Sequence, residues 1–196
     1  MRSKFIVIGE YGLLQAMFGL GLSHGLTSGT SFAEFSSPNN PLVVRCLEVA
    51  RKLHDKDGGH NKFLESIQIW LDVTMPRGVW VEADTYRAGS SKQSESTMHT
   101  IHKRELAQED FDQDIPESML TTLNQAIVVY RADRSVENLV VVKNMLPEGF
   151  LQRRIWNINY KTLRSIVAQR KDHRLPHWKT FCAEVLGSIN HPEWVV

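Results

Sequence analysis

Hydrophobic residues recur along this chain at two spacings, and each spacing predicts its own kind of element. A step of three or four is clearest from Leu42, where Val43, Val44, Cys46, Leu47, Val49, Ala50 and Leu53 outline a helical stripe that Asp57, Gly58 and Gly59 bring to a stop. The same step predicts a helix opened by Pro116 and Glu117, with Met119, Leu120, Leu123, Ala126, Ile127 and Tyr130 on its inner side. Further helices are predicted over Tyr11–Leu22, weakened by glycine, over Val136–Met145, ended by Pro147 and Gly149, and over Tyr160–Gln169 and His177–Ile189. A step of two marks Phe63–Val73 as a strand, with Ile67, Ile69 and Leu71 on one face and Gln68 and Trp70 on the other. Lys4–Gly9 and Phe150–Asn157 read as two more strands.

Between these elements lie polar stretches. Ser23–Pro41 reads as a loop rich in Gly, Ser, Thr and Pro, and Glu105–Ile115 as an acidic, solvated connection. Pro76 starts a helix over Arg77–Tyr86, and the polar Arg87–Thr97 that follows reads as a loop, the kind of segment that carries chemistry. Helices around a few noncontiguous strands make the class α+β. A chain of 196 residues without internal repeats is read as one domain, residues 1–196.

Charge narrows the functions. Lys plus Arg number 23 against 22 Asp plus Glu, so the net charge of +1 gives no overall attraction for a nucleic acid polymer or an acidic membrane. Any anion site must be local. Cys46 and Cys182 are too few for a disulfide framework and fall within apolar helical patterns, which points to buried thiols and a cytoplasmic setting. Glu10 and the glycines around it argue against a targeting segment near Met1, and no apolar run is long enough to span a membrane. His54, Asp55, Asp57 and His60, like His99 and His102, have irregular spacing without paired cysteines, so no metal site is expected.

From Leu146 to His173 the chain reads LPEGFLQRRIWNINYKTLRSIVAQRKDH. Its Leu-Pro turn, aromatic strand, Asn and helix ending in Arg resemble the flavin-dependent thymidylate synthases, with Leu146, Pro147, Trp156, Asn159, Leu163 and Arg170 on the family spacing. A second collinear match runs from Gly59 and His60 through Glu65 and Pro76 to Arg87 and Ser90, and the matched stretches cover about half the chain. The resemblance implies an antiparallel-rich central sheet flanked by long helices. It implies FAD as cofactor, methylenetetrahydrofolate and NADPH as co-substrates, and one-carbon transfer to carbon 5 of a pyrimidine deoxynucleotide such as dUMP. It also implies a homotetramer with active sites between subunits.

Several positions depart from the family. Thr85 and Tyr86 stand where the signature has its first Arg and its His, and Lys92, Gln93, Glu95 and Thr97 replace the usual Asn, Glu, Ser and Arg. Glu82 replaces a Gln and Lys143 an Arg. Through the resemblance, Glu82, Gln93, Glu95, Lys143 and Arg170 are the substrate-binding candidates. His60, Arg87, Ser90 and Asn159 are the cofactor-binding ones.

The chemistry of these residues suits those roles. The fork of Arg170 can bind a pyrimidine carbonyl edge and stabilise developing negative charge, which makes it the catalytic candidate, although a solvated helix-end charge is the plain alternative. Arg87 with Ser90 can hold a phosphate, or form an ordinary polar turn. Asn159 offers a donor and an acceptor to a flavin edge, or serves as a turn residue between strand and helix. His60 can stack on a flavin or be structural, and Glu65 is read as structural. Lys143 keeps the charge of the Arg it replaces but loses the bidentate fork. Carboxylates at Glu82 and Glu95 can accept from an amino group, which opens a second reading: the same fold acting on a cytosine-like base, or hydroxymethylating it. A third is a relative that binds nucleotide or flavin without turnover.

Overall fold

The computed structural model describes residues 1–196. The chain forms two compact units: Met1–Phe5, Asp72–Thr85 and Lys92–Ile155 make the first, and Ile6–Leu71, Tyr86–Ser91 and Trp156–Val196 the second. In chain order the elements are β1 (Lys4–Tyr11), α1 (Leu13–Ser23), α2 (Phe32–Phe35), α3 (Pro41–Leu53), β2 (Gln68–Pro76), α4 (Arg77–Ala83), β3 (Ser90–Ser94), α5 (Thr97–Thr100), α6 (Glu117–Ala132), α7 (Val136–Met145), β4 (Leu151–Asn159), α8 (Tyr160–Arg170) and α9 (Pro176–Leu186). The class is α+β, with one four-stranded sheet in the order β1-β2-β4-β3.

Hydrogen bonds at its ends fix the register. Arg77 N donates to Phe150 O and Tyr160 N to Ile67 O, so β2 and β4 run antiparallel. Asn159 N to Gly89 O and Glu95 N to Arg153 O do the same for β3 and β4. Along β2 the alternation holds: Ile69, Leu71, Val73 and Met75 are buried, while Gln68, Trp70, Asp72 and Thr74 are half-buried.

Helix starts follow from side chains that satisfy the first free amides. Asn40 accepts from Leu42 N at 2.9 Å with Pro41 in the first turn of α3, and Ser135 accepts from Asn138 N at the start of α7. In the first unit, Leu120, Leu123, Ile127 and Tyr130 of α6 pack with Phe111, Val142, Leu146 and Phe150. In the second, Trp156, Tyr160, Trp178 and Trp194 are fully buried, and Phe181 touches both Trp156 and Trp178. No helix is long and apolar enough to cross a membrane.

Four readings of the sequence change. Arg87–Thr97 is not all loop: Ser90–Ser94 is β3, an edge strand that pairs on one side only, so it needs no apolar alternation to signal it. Glu105–Ile115 is not simply solvated, because Leu106, Phe111 and Asp112 are buried. Its backbone is satisfied by side chains: Asn124 exchanges two hydrogen bonds with Leu106, and Gln108 two with Ile115. Phe63–Val73 begins with a 3₁₀ turn over Lys62–Glu65 before β2 starts. Ser23–Pro41 contains α2, made by a capping box in which Ser31 and Glu34 bond each other's backbone amides.

Candidate functional site

In the second unit Arg170 closes α8, half-buried against aromatic rings. Its Nε donates to Tyr86 Oη at 2.9 Å, and Tyr86 Oη in turn donates to Gln169 Oε1 at 2.9 Å. The guanidinium carbon lies 4.9 Å from the centroid of Trp178 and 5.8 Å from that of Tyr86, within cation–π range of both. Nη1 sits 2.9 Å from His173 Nε2, which accepts because a guanidinium only donates. A guanidinium so held is a fixed positive fork rather than a floating helix-end charge.

The candidates Ser90 and Asn159 lie at a joint of the same unit. Asn159 Oδ1 accepts from Thr162 N at 2.8 Å and caps α8, while Thr162 Oγ1 donates to Ala88 O at 2.6 Å. Gly89 has φ +60°, and a β-carbon there would stand 2.1 Å from Asn159 Nδ2, so glycine alone permits the approach. Ser90 Oγ accepts from Trp156 Nε1 at 2.8 Å. Arg87 is exposed and makes no hydrogen bond. His60, also exposed, lines a cleft of about 550 Å³ with Gln15, Gly19, His24, Lys62 and Phe63. Glu65 pairs with Lys161 at 2.7 Å, a surface bridge that ties the 3₁₀ turn to α8.

In the first unit Lys143 lines a second cleft, about 250 Å³, with Arg77, Val81, Thr97, Glu148, Gln152 and Arg154. Arg77 donates to Leu146 O at 3.2 Å and has no carboxylate partner, and Lys143 has none either. Arg154 stacks over Trp80, 4.4 Å from the ring centroid, and pairs with Asp84 at 3.0 Å. Its neighbour on β4, Arg153, is on the opposite side and pairs with Asp72 at 2.5 Å, which holds that carboxyl below its usual range. The alternation of side chains along a strand thus sends one arginine into the cleft and the other out. Lys92 also reaches Asp84, at 3.5 Å, yet burial outweighs that attraction and lowers its ammonium. Two cations without an ion-pair partner, on a small polar cleft that Glu148 also borders, suit a phosphate.

The remaining substrate candidates are less concentrated. Glu82 is half-buried on α4, and Gln93 is exposed on β3. Glu95 borders a separate cleft of about 100 Å³ that also holds Arg104 and Asp110, themselves an ion pair. Cys46 and Cys182 are buried free thiols, both raised by burial, Cys182 to about 11. A nucleophilic cysteine needs the opposite setting, accessible and electropositive.

Sequence reasoning passed over Arg77, Tyr86 and Trp178. Nothing in the spacing separates Arg77 from an ordinary helix-start residue. Tyr86 stands out in the sequence only as a departure from the family's His, and no spacing places its phenol beside Arg170.

No protein-family model matches the sequence, and no curated protein matches it. The structure is similar to two crystal structures of the flavin-dependent thymidylate synthase ThyX of Helicobacter pylori with FAD and dUMP. Their TM-scores are 0.74 and 0.73 at 13% sequence identity, covering 98% of this chain and 97% and 95% of theirs. At that identity the likeness shows the fold.

Proposed function

We propose, from a fold shared over its whole length with flavin-dependent thymidylate synthases, that this chain transfers a one-carbon group to carbon 5 of a pyrimidine deoxynucleotide such as dUMP. The full-length fold correspondence is the observation that carries the reading. Methylenetetrahydrofolate as carbon donor, NADPH as reductant and a homotetramer belong to the same proposal.

Within the first unit, Arg77 and Lys143 would take a phosphate group, since both are cations without an ion-pair partner on one cleft. Within the second, Arg170 would polarise the pyrimidine carbonyl edge and stabilise negative charge on the ring as carbon 5 gains its new bond and loses its hydrogen. The thiols stay out of the reaction, since burial holds them protonated.

The residues fit a flavin in part. Arg87 and His60 are exposed and uncommitted, so Arg87 would hold a flavin phosphate and His60 would stand against the ring system. Ser90 Oγ and Asn159 Oδ1 already serve Trp156 and α8, which leaves Asn159 Nδ2 as that residue's donor to a ligand. When bound, the flavin supplies the reducing equivalents that convert the transferred carbon to methyl.

That partial commitment favours a second reading, a relative that binds nucleotide or flavin without turnover. The absorbance spectrum of the purified protein, before and after adding FAD, tests the first step. Flavin absorbance that stays with the protein on gel filtration, together with NADPH oxidation, is expected. A colourless protein that takes up no FAD would end the flavin proposal. Bound flavin and dUMP-dependent thermal stabilisation without NADPH oxidation would favour the second reading.

A further inference from the structure

We infer that Tyr86 is a positioning residue for Arg170: its phenol fixes the guanidinium at the end of α8 in the orientation it presents to a ligand. The inference rests on the reading of Arg170 as the group that meets the pyrimidine.

The hydrogen-bond arithmetic carries it. A phenol has one proton to give, and here it goes to Gln169 Oε1, so the oxygen faces Arg170 Nε with its lone pairs. Both bonds measure 2.9 Å. On the other side Nη1 is taken by His173. Of the guanidinium's five N–H groups, at most about three are left for a ligand, and the plane of the fork is set by partners at both ends. The faces are also supported: Trp178 is almost fully buried and meets Tyr86 edge to face, with centroids 6.2 Å apart.

The segment that carries Tyr86 is anchored as well. Ala88 O accepts from Thr162 Oγ1 and Gly89 O accepts from Asn159 N, so the phenol is delivered by a loop pinned to the first turn of the helix whose last turn holds Arg170. Long arginine side chains lose substantial rotamer freedom when ordered, and a guanidinium already fixed binds its ligand without that loss.

The test uses the full-length protein and two readouts. The Arg170 Nε–H signal in a proton–nitrogen spectrum, assigned by its loss in Arg170→Lys, is expected to exchange slowly in the wild type and rapidly in Tyr86→Phe. Gln169→Ala, which removes only the phenol's acceptor, is expected to show an intermediate rate. In dUMP titrations, Tyr86→Phe should bind about tenfold more weakly, the scale of one charge-assisted hydrogen bond, with a melting temperature close to wild type. An Nε–H signal unchanged in Tyr86→Phe would overturn the inference. If Tyr86→Phe fails to fold, an unprotected wild-type signal, or Gln169→Ala indistinguishable from wild type, overturns it instead. A wild-type protein that ignores dUMP would count against the nucleotide reading, while the exchange rates still decide the positioning role.

Discussion

Gly89 and Asn159 touch so closely that a single added carbon would not fit: a β-carbon on Gly89 would lie 2.1 Å from Asn159 Nδ2 and 2.7 Å from its Cγ. The contact joins the start of β3 to the cap of α8, and it fixes the loop that bears Tyr86 and Arg87. Asn159, one of the residues on the family spacing, is thereby packed against the glycine that precedes Ser90 before any ligand arrives.

Gly89→Ala is therefore expected to destabilise the fold by about 2–3 kcal/mol, combining a left-handed backbone with a steric clash. Gly58→Ala is the control. It shares a positive φ, +73°, but a β-carbon there meets nothing within 4 Å, so only the backbone cost of about 1 kcal/mol applies. Urea unfolding of both variants checks the difference.

Replacing Asn159 separates capping from ligand binding. Asn159→Ala should cost about 1 kcal/mol through the lost bond to Thr162 N, whereas Asn159→Asp keeps an acceptor at that place and should stay near wild type. Thermal melts of the two variants without ligand read the cap alone. In FAD titrations Asn159→Asp should bind more weakly than wild type, because it has lost Nδ2 as donor.

Arg77 and Lys143 should act on the same ligand. Alanine at either position is expected to weaken dUMP binding about tenfold, and raising the salt concentration should weaken wild-type binding more than that of either variant. Lys143→Arg should tighten it, since a fork replaces a point charge. Isothermal titration at two ionic strengths measures both effects.

Cys182 links stability to alkaline pH. Burial raises its thiol to about 11 from an ordinary 9.0, so the folded state holds the proton more tightly than the unfolded chain. The corresponding stability is fully present below about pH 9 and is lost as the pH rises through the folded value. Denaturant midpoints between pH 8 and 10.5 should fall less steeply in Cys182→Ala than in the wild type. At pH 8 both thiols should react with a thiol reagent only after denaturation.

The helices α3, α6 and α9 were legible because each buries one stripe against a core, and burial writes its period into the sequence. β3 was not, since an edge strand of Ser, Lys and Gln has no apolar side chain to write a period into the sequence. Glu105–Ile115 misled for the opposite reason: its acidic residues hide a buried Phe111, and its backbone is satisfied by distant side chains that no local pattern announces. At the candidate site, the family resemblance pointed to Arg170 and Lys143 but not to their surroundings. The partners of Arg170 come from residues 86, 173 and 178, and whether a guanidinium is clamped or free depends on contacts that only the fold creates.

The most direct test of the proposed activity is release of tritium from carbon 5 of labelled dUMP by the full-length protein supplied with FAD, NADPH and methylenetetrahydrofolate. Tritium release that requires FAD and falls by at least about a hundredfold in Arg170→Ala is predicted, as for loss of a donor that stabilises charge in the transition state. Protein that binds FAD and dUMP yet releases no tritium, or an Arg170→Ala variant as active as wild type, would contradict it.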